Sequence, residues 1–237
     1  MLNKALLLNF AFKTSRRLIR YPGLIRWYDS YIRSLTSGRN ALEDKVPWVT
    51  FSARAWLEKY LKPGMRVCEW GSGGSTIYLA KRVGQITSIE HQDVWFAKVQ
   101  QILHREGILN CKYILIPHNQ AVQTGLHRSI PGGYLSSFPG YENVQFVDYA
   151  RAIEKVSTTT YDFILIDGRA RLSCLFHALP FVSHDGAVML DNSERPRYEE
   201  ANLLMNNGWK RLDFTGPGPY LTAIWTTTVW VRQFSSS

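Results

Sequence analysis

The sequence has few cysteines, and they follow no binding pattern. Cys68, Cys111 and Cys174 lie far apart in apolar surroundings, and none belongs to a CxxC pair or to a Cys/His spacing for zinc. Three cysteines also cannot form an even disulfide framework. We therefore expect buried, reduced thiols and a reducing compartment such as the cytoplasm.

Long apolar runs are also absent. No run reaches the roughly 18 residues that a membrane-spanning helix requires. The leader ALLLNFAF is short and has no small-residue cleavage site, so we expect no secretory signal. The chain contains no G-x-S-x-G nucleophile elbow and no G-K-[ST] of a P-loop, which excludes the chemistry of these two motifs.

Acidic residues are scarce in the first 40 positions. This stretch carries eight Lys and Arg against Asp29 alone, so most of the net charge of +9 belongs to it. Apolar and basic residues follow helical spacing there, and Pro22-Gly23 interrupts the pattern. We interpret residues 1–45 as a basic helical arm. Three interpretations of this arm remain open. It is a helical cap with a solvated basic face, a surface for peripheral contact with a membrane or partner, or an organelle transit peptide.

From residue 46 onward, short apolar runs alternate with helical patterns. The runs predicted as strands are MRVCEW, ITSIEH, KYILIP, YDFILIDG and GAVMLDN. This alternation predicts an α/β fold, a doubly wound, Rossmann-like and mostly parallel sheet with helices on both faces. WKRLDFTG and TAIWTTTVWVRQF follow without an intervening helix, which predicts an antiparallel C-terminal strand.

One segment is too long to be a simple connection. Residues 118–157 lie between two predicted strands, and their middle reads PGGYLSSFPGYENVQFVDYA. A loop of this length in a compact domain is usually functional or mobile. We therefore interpret residues 46–237 as one domain with an insertion at about 118–157. The insertion is either packed around a small core of its own or a lid that faces the substrate.

A glycine-rich loop follows the first predicted strand, in the sequence VCEWGSGGST. Doubly wound folds bind nucleotides at this place, because glycines allow close approach and the helix start offers free N–H groups. The dinucleotide pattern G-x-G-x-x-G/A requires a small residue where this chain has Thr76. Glu69, two residues before the first glycine, would oppose a pyrophosphate but suits a ligand with a cationic amino group.

The loop resembles the first motif of the class I S-adenosylmethionine-dependent methyltransferases, acid-x-Gly-x-Gly-x-Gly/Ser. The resemblance covers roughly residues 48–231 and implies S-adenosylmethionine as the cofactor. In that family an acid at the end of the second strand accepts both ribose hydroxyls, and Glu90 stands at this place. The cofactor-binding residues that the resemblance implies are Glu69, Gly71, Ser72, Gly73, Ser75, Glu90, His91 and Asp167.

Further acids follow the fourth and fifth predicted strands. Asp167 stands at the end of the fourth strand, before the final glycine of YDFILIDG, and Asp191-Asn192 ends GAVMLDN. The carboxyl ends of adjacent parallel strands lie together, and such oxygens suit Mg²⁺ or Ca²⁺. The layout resembles the metal-dependent O-methyltransferases of the catechol and caffeoyl-CoA type. The alternative is that Asp167 only turns the chain and Asp191-Asn192 only caps the next helix.

Arginines gather near the same strand ends, at Arg169, Arg171, Arg195 and Arg197. Their guanidinium groups either bind an acidic substrate or pair with nearby acids. We name Asp167 and Arg169 as candidate catalytic residues. The paired prolines and aromatic residue that follow the fourth strand in nucleic-acid methyltransferases are missing, which argues mildly against a nucleic-acid substrate.

The function that these features favour is S-adenosylmethionine-dependent O-methylation of a small-molecule or saccharide-like acceptor. Two alternatives remain open. One is an NAD-dependent oxidoreductase, against which Glu69 and Thr76 count. The other is a non-catalytic protein that docks on a membrane or partner through its basic arm and retains only the scaffold of a methyltransferase.

Overall fold

The computed structural model describes residues 22–119, 130–142 and 144–233. Residues 1–21 of the predicted basic arm therefore lie outside the described residues, as do positions 120–129 and 143 of the predicted insertion. Within the described ranges, no helix is long and apolar enough to cross a membrane.

The described chain forms a seven-stranded sheet with the strand order β3-β2-β1-β4-β5-β7-β6. Strands β1 to β5 pair in parallel, and β7 is antiparallel to both of its neighbours, β5 and β6. The predicted Rossmann-like fold with an antiparallel C-terminal strand is confirmed. The strands are β1 (Arg66–Trp70), β2 (Gln85–Glu90), β3 (Cys111–Leu115), β4 (Tyr161–Ile166), β5 (Val182–Asp191), β6 (Trp209–Pro217) and β7 (Ile224–Arg232).

Helices cover both faces of this sheet. Cys68 and Trp70 of β1 point into a core that contains residues from α6 to α9, whereas Val67 points into a second core with α3 and α4. The alternation of side chains along a strand produces the two cores. The helices are α1 (Tyr28–Thr36), α2 (Ala41–Asp44), α3 (Phe51–Tyr60), α4 (Gly74–Ala80), α5 (Asp93–Arg105), α6 (Val147–Ala150), α7 (Ala152–Val156), α8 (Arg171–Ala178) and α9 (Glu200–Leu204).

The strand order reverses between β1 and β4, and the loops that follow these two strands touch. Asp167 donates its backbone N–H to the carbonyl of Trp70 at 2.9 Å. Gly71 has a φ of +90°, and a Cβ atom there would lie 2.6 Å from the backbone nitrogen of Gly168. The first glycine of the loop is therefore required by backbone packing, whatever the loop binds.

The segment before α3 closes over the start of α4. Asn40 caps α2 by accepting hydrogen bonds from Leu42 and Glu43, and Glu43 completes a capping box. Gly74 lies so close to this segment that a Cβ atom would sit 2.0 Å from the carbonyl oxygen of Ala41. Gly71 and Gly74 of the glycine loop therefore both lack room for a side chain.

The described part of the insertion contributes to the main core. Phe146 and Tyr149 are fully buried among residues of β1, β4 and α8. Tyr134 contacts His177 of α8 through its hydroxyl at 3.0 Å. Phe138 is half exposed and lies under the guanidinium of Arg169. The insertion therefore combines core residues with a stretch that borders the strand ends.

Gly74→Ala should destabilise the fold, because its methyl group would meet backbone oxygens at 2.0 and 2.4 Å. We expect a loss of more than about 2 kcal/mol, measured by urea unfolding followed by circular dichroism. Gly64→Ala is the matched control, since no atom lies within 4 Å of its Cβ position. Equal stability of the two variants would contradict this packing.

Candidate functional site

Four acidic side chains stand at the carboxyl ends of neighbouring strands. β2 and β5 end at Glu90 and Asp191. Glu69 is one residue before the end of β1, and Asp167 directly follows β4. The sheet thus brings the predicted cofactor and metal residues to one edge. Their partners differ, however, and the differences decide what each carboxylate can do.

Glu69 is fully buried and fixes the start of α4. Its Oε1 accepts hydrogen bonds from Ser88 at 2.7 Å and from Thr76, whose hydroxyl in turn accepts the N–H of Gly73 at 2.9 Å. The other oxygen, Oε2, is buried without a hydrogen-bond partner. Thr76 is therefore the link between the acid and the glycine loop. Such an unpartnered buried oxygen requires an explanation.

The pKa of Glu69 is raised to about 7, chiefly by burial, although the hydroxyls of Ser88, Thr76 and Ser75 lower it. Ser75 is itself buried. The predicted cofactor residue Ser75 therefore faces the acid from within the protein.

Glu90 is buried and accepts hydrogen bonds on both oxygens. Oε2 accepts from the backbone N–H of Ser72 at 3.0 Å and from its hydroxyl at 2.7 Å, and Oε1 accepts from the N–H groups of His91 and Gln92. Burial raises the pKa of Glu90, but the hydrogen bonds from His91, Gln92 and Ser72 outweigh it and leave the pKa low. Glu90 is thus an ionised acceptor beside the loop.

Ser72 is held over Glu90 by two aromatic side chains. Trp95 donates its indole N–H to the carbonyl of Ser72 at 2.9 Å, and the Tyr113 hydroxyl lies 2.7 Å from the Ser72 hydroxyl. Tyr113 was not recognised from the sequence, because only the pairing of β2 with β3 brings it to the loop.

His91 connects the end of β2 to the insertion. Its Nδ1 lies 2.8 Å from Oε1 of Glu90, and its Nε2 lies 3.1 Å from the Tyr141 hydroxyl. Its ring is also in edge contact with Phe146 and Tyr149. These aromatic rings cover the edge of the sheet beside Glu90.

Two further polar groups, the Tyr149 hydroxyl and the Asn119 amide, differ in whether they have a hydrogen-bond partner within the protein. The Tyr149 hydroxyl is buried without a hydrogen-bond partner and packs against Gly168, where a Cβ atom would lie 1.9 Å from it. The amide of Asn119 is bound to Asp148 at 2.7 Å. Asn119 is thus already hydrogen-bonded within the protein.

Arg171, at the first position of α8, lies between the two carboxylates of the predicted metal site. Its Nη2 is 2.8 Å from Asp167 and its Nη1 is 3.8 Å from the Asp191 carboxylate. Nη1 also donates to the Asn192 side chain at 3.3 Å and to the Asp191 carbonyl. Burial lowers the pKa of Arg171, but the charges of Asp167 and Asp191 outweigh it and raise the pKa.

The two carboxylates differ in exposure. The Asp167 side chain is a quarter exposed, whereas Asp191 is buried and accepts from Trp225 at 2.9 Å and Thr227 at 2.6 Å. Burial raises the pKa of Asp167, and the charges of Arg171 and Arg169 oppose it only in part. Burial and the Asp167 charge raise the pKa of Asp191 to about 7.

This arrangement does not fit the predicted metal site. The Arg171 guanidinium contacts all three predicted ligands, Asp167, Asp191 and Asn192. Mg²⁺ or Ca²⁺ would need these oxygens free of another cation, because oxygen atoms are its preferred ligands. The described residues contain no group of three or more His, Cys, Asp or Glu that could hold a metal ion. Arg171, predicted at the rim of the site, instead forms an internal ion pair with Asp167 and Asp191 that the sequence did not reveal.

A cavity of about 290 Å³ opens beside this ion pair. The insertion forms one wall through Ser136–Pro139, and the start of α8 forms another. Arg169 projects to it with its guanidinium 4.0 Å from the ring centre of Phe138. Of the two predicted catalytic residues, Arg169 lines the cavity, whereas Asp167 is connected to it through its ion pair with the lining residue Arg171.

The sequence of the chain matches no family model, and no curated protein matches it. Its fold does match solved structures. An O-methyltransferase from Streptomyces achromogenes, involved in tomaymycin synthesis and solved with S-adenosylmethionine, is 16% identical, with 88% of this chain and 98% of that chain covered and a TM-score of 0.59.

Two further structures agree with the first. A protein from Streptococcus mutans solved in complex with SAH is 11% identical, covering 77% of this chain and 96% of its own, with a TM-score of 0.51. An rRNA methylase from Streptococcus thermophilus is 14% identical, covering 78% and 95%, with a TM-score of 0.50. The chain therefore has the fold of the class I S-adenosylmethionine-dependent methyltransferases.

Proposed function

We propose that the protein is an S-adenosylmethionine-dependent methyltransferase that acts on an oxygen of a small-molecule or saccharide-like acceptor. The observation that carries this proposal is the pair of buried acids, Glu69 and Glu90, on either side of the glycine loop. A pyrophosphate would meet negative charge here, whereas an amino-acid nucleoside with a cationic sulfonium and ammonium would be attracted. The fold supports the same cofactor class.

The residues at the loop fit this cofactor. Glu90 is ionised and lies directly beside Ser72 of the loop. We assign the ribose hydroxyls to Glu90 and the adenine surroundings to His91. The other assigned contacts are Gly71, Ser72, Gly73, Ser75 and the backbone near Asp167. Glu69 would act through the loop, because its side chain is fully buried.

The cofactor, when bound, supplies a methyl group that is already activated by the sulfonium. The protein must then orient the acceptor hydroxyl and remove its proton. Asp167 is the candidate base, since it is partly exposed and burial holds its pKa above the usual range. Arg171 holds this carboxylate in place, and Arg169 lies on the acceptor side.

The domain division also belongs to this proposal. Residues 46–237 would form the catalytic domain, with the insertion at about 118–157 bordering the acceptor cavity and residues 1–45 as an arm. An rRNA methylase is among the similar structures. The cavity and the absence of the nucleic-acid motif after the fourth strand favour a small acceptor for this chain.

Cofactor binding tests the proposal directly. S-adenosylhomocysteine should raise the melting temperature of the parent and bind in calorimetry, and NAD should not. Glu90→Gln should weaken this binding roughly tenfold or more, because it removes a charged acceptor from the ribose position. Glu58→Gln, an exposed acid on α3, is the control and should bind normally.

Two results would overturn the proposal. Stabilisation by NAD without S-adenosylhomocysteine would indicate an oxidoreductase. Binding of neither, together with liposome binding by the full chain, would indicate a docking protein on this scaffold.

Glu69→Gln should stabilise the unliganded protein in a pH-dependent way. The pKa of Glu69 is about 7 in the folded state, compared with an ordinary value of 4.5. Ionised Glu69 therefore lowers the stability of the folded state above pH 7, and this cost disappears as the pH falls toward 4.5. Glutamine has no such cost. We expect a melting-temperature gain of about 3 °C or more at pH 8 that shrinks toward pH 5. A gain that is constant with pH would contradict a buried, titrating Glu69.

Divalent cations should not bind between Asp167 and Asp191, because the Arg171 guanidinium lies there. We expect the same melting temperature with EDTA and with MgCl₂, MnCl₂ or CaCl₂, at an ionic strength kept constant with NaCl. A saturable rise with any of these cations that Asp191→Asn abolishes would restore the metal prediction.

A further inference from the structure

Three arginines besides Arg171 line the cavity, and few acidic side chains lie close to them. Arg169, Arg195 and Arg197 line it together with Arg171. Arg171 is balanced by Asp167 and Asp191, as described above. Of the other three arginines, only Arg195 forms an ion pair with a described residue, Glu194, at 4.0 Å. Both of these side chains are about 40% exposed. The cavity wall therefore carries an excess of positive charge.

Two of these guanidinium groups have unused hydrogen-bond donors. Nε of Arg169 and Nε of Arg197 are buried and have no hydrogen-bond partner. Both guanidinium groups instead lie near aromatic rings, Arg169 at 4.0 Å from the Phe138 ring centre and Arg197 at 5.2 Å from that of Tyr198. Buried donors normally have partners, and an anion in the cavity would supply acceptors to both groups.

The start of α8 adds further donors to the same cavity. This helix has eight residues, begins at Arg171, and is preceded by Ala170, which has a φ of +45° and makes no side-chain cap. The lining includes Ala170–Ser173, the first turn of the helix. An uncapped first turn offers N–H groups and the positive end of the helix dipole to an anion.

We infer that this cavity binds an anionic group of the acceptor, a carboxylate or a phosphate, through Arg169, Arg195 and Arg197. The inference rests on the proposed methyltransferase function and narrows its substrate to small acidic molecules that also carry a hydroxyl, such as an acidic or phosphorylated sugar. Paired guanidinium N–H groups match the oxygens of both kinds of anion. The anionic group would hold the hydroxyl on the side of Asp167.

A small anion explains the charge distribution better than an RNA backbone does. Binding along a nucleic acid requires basic residues spread over an extended surface. Here the arginines converge on one cavity of about 290 Å³, and outside residues 1–40 the chain has a net charge near +2. The converging positive charge indicates a compact ligand.

Anion binding can be measured without knowing the acceptor. Inorganic phosphate and, in a separate arm, malonate are titrated into the full chain by calorimetry and thermal unfolding, with NaCl keeping the ionic strength constant. Saturable binding of at least one is expected, and the tighter one indicates phosphate or carboxylate. Arg197→Gln and Arg169→Gln should each weaken it roughly tenfold, the value of one charge-assisted hydrogen bond.

Arg66→Gln is the matched control. Arg66 is also half-buried against an aromatic ring, 5.7 Å from the centre of Tyr161, but it lies at the start of β1, away from the cavity. Anion affinity should be unchanged in this variant. Folding of all variants is checked by circular dichroism, and a second pair, Arg169→Lys and Arg197→Lys, keeps the charge while removing the paired N–H geometry.

Cofactor affinity separates this inference from the proposed function. Arg197→Gln should bind S-adenosylhomocysteine like the parent while losing the anion. Anion binding by a parent that does not bind S-adenosylhomocysteine would overturn the methyltransferase proposal but leave the anion site. Three results would overturn the anion site. They are binding of neither phosphate nor malonate, an equal loss of anion affinity in Arg66→Gln, and binding of a single-stranded RNA oligonucleotide in place of both anions.

Discussion

The buried ion pair of Arg171 with Asp167 and Asp191 is the constraint on which the functional edge of the sheet depends. Two carboxylates at the ends of adjacent strands repel each other and lose hydration, and either alone would be costly to bury. The single positive charge of the guanidinium lies within ion-pair distance of both carboxylates and also reaches Asn192. Because Arg171 is the first residue of α8, the same contact fixes where that helix begins.

The position of α8 in turn determines the cavity. Its first turn forms one wall, and the β4 loop with Gly168 and Arg169 leads into it. Gly168 can approach Gly71 only because both lack a side chain, which brings the arginine-lined cavity next to the glycine loop. One charge pair and one glycine contact therefore place the two halves of the site beside each other. A divalent cation would be redundant here, since a fixed cationic side chain already occupies its place.

Much of the fold was predictable, because it follows from local patterns. Apolar runs identified the strands that flank the glycine loop, and the missing helix before β7 indicated its antiparallel direction. The partners of the site residues were not predictable. Ser88 meets Glu69 only through the register of β1 with β2, and Arg171 meets Asp191 across two strands. In each case the contact joins residues distant in sequence, so periodicity carries no signal for it.

The insertion touches both halves of the site with neighbouring residues. The Tyr141 hydroxyl lies 3.1 Å from His91 on the cofactor side, and Phe138 lies under Arg169 on the acceptor side. The two rings also contact each other, with 6.3 Å between their centres, so a ligand that displaces one ring would disturb the surroundings of the other. Thermodynamic linkage then makes the effect reciprocal, so that each ligand alters the affinity for the other by the same factor. If the proposed cofactor and anion sites are both occupied, the short path from Phe138 to Tyr141 would couple the two ligands energetically.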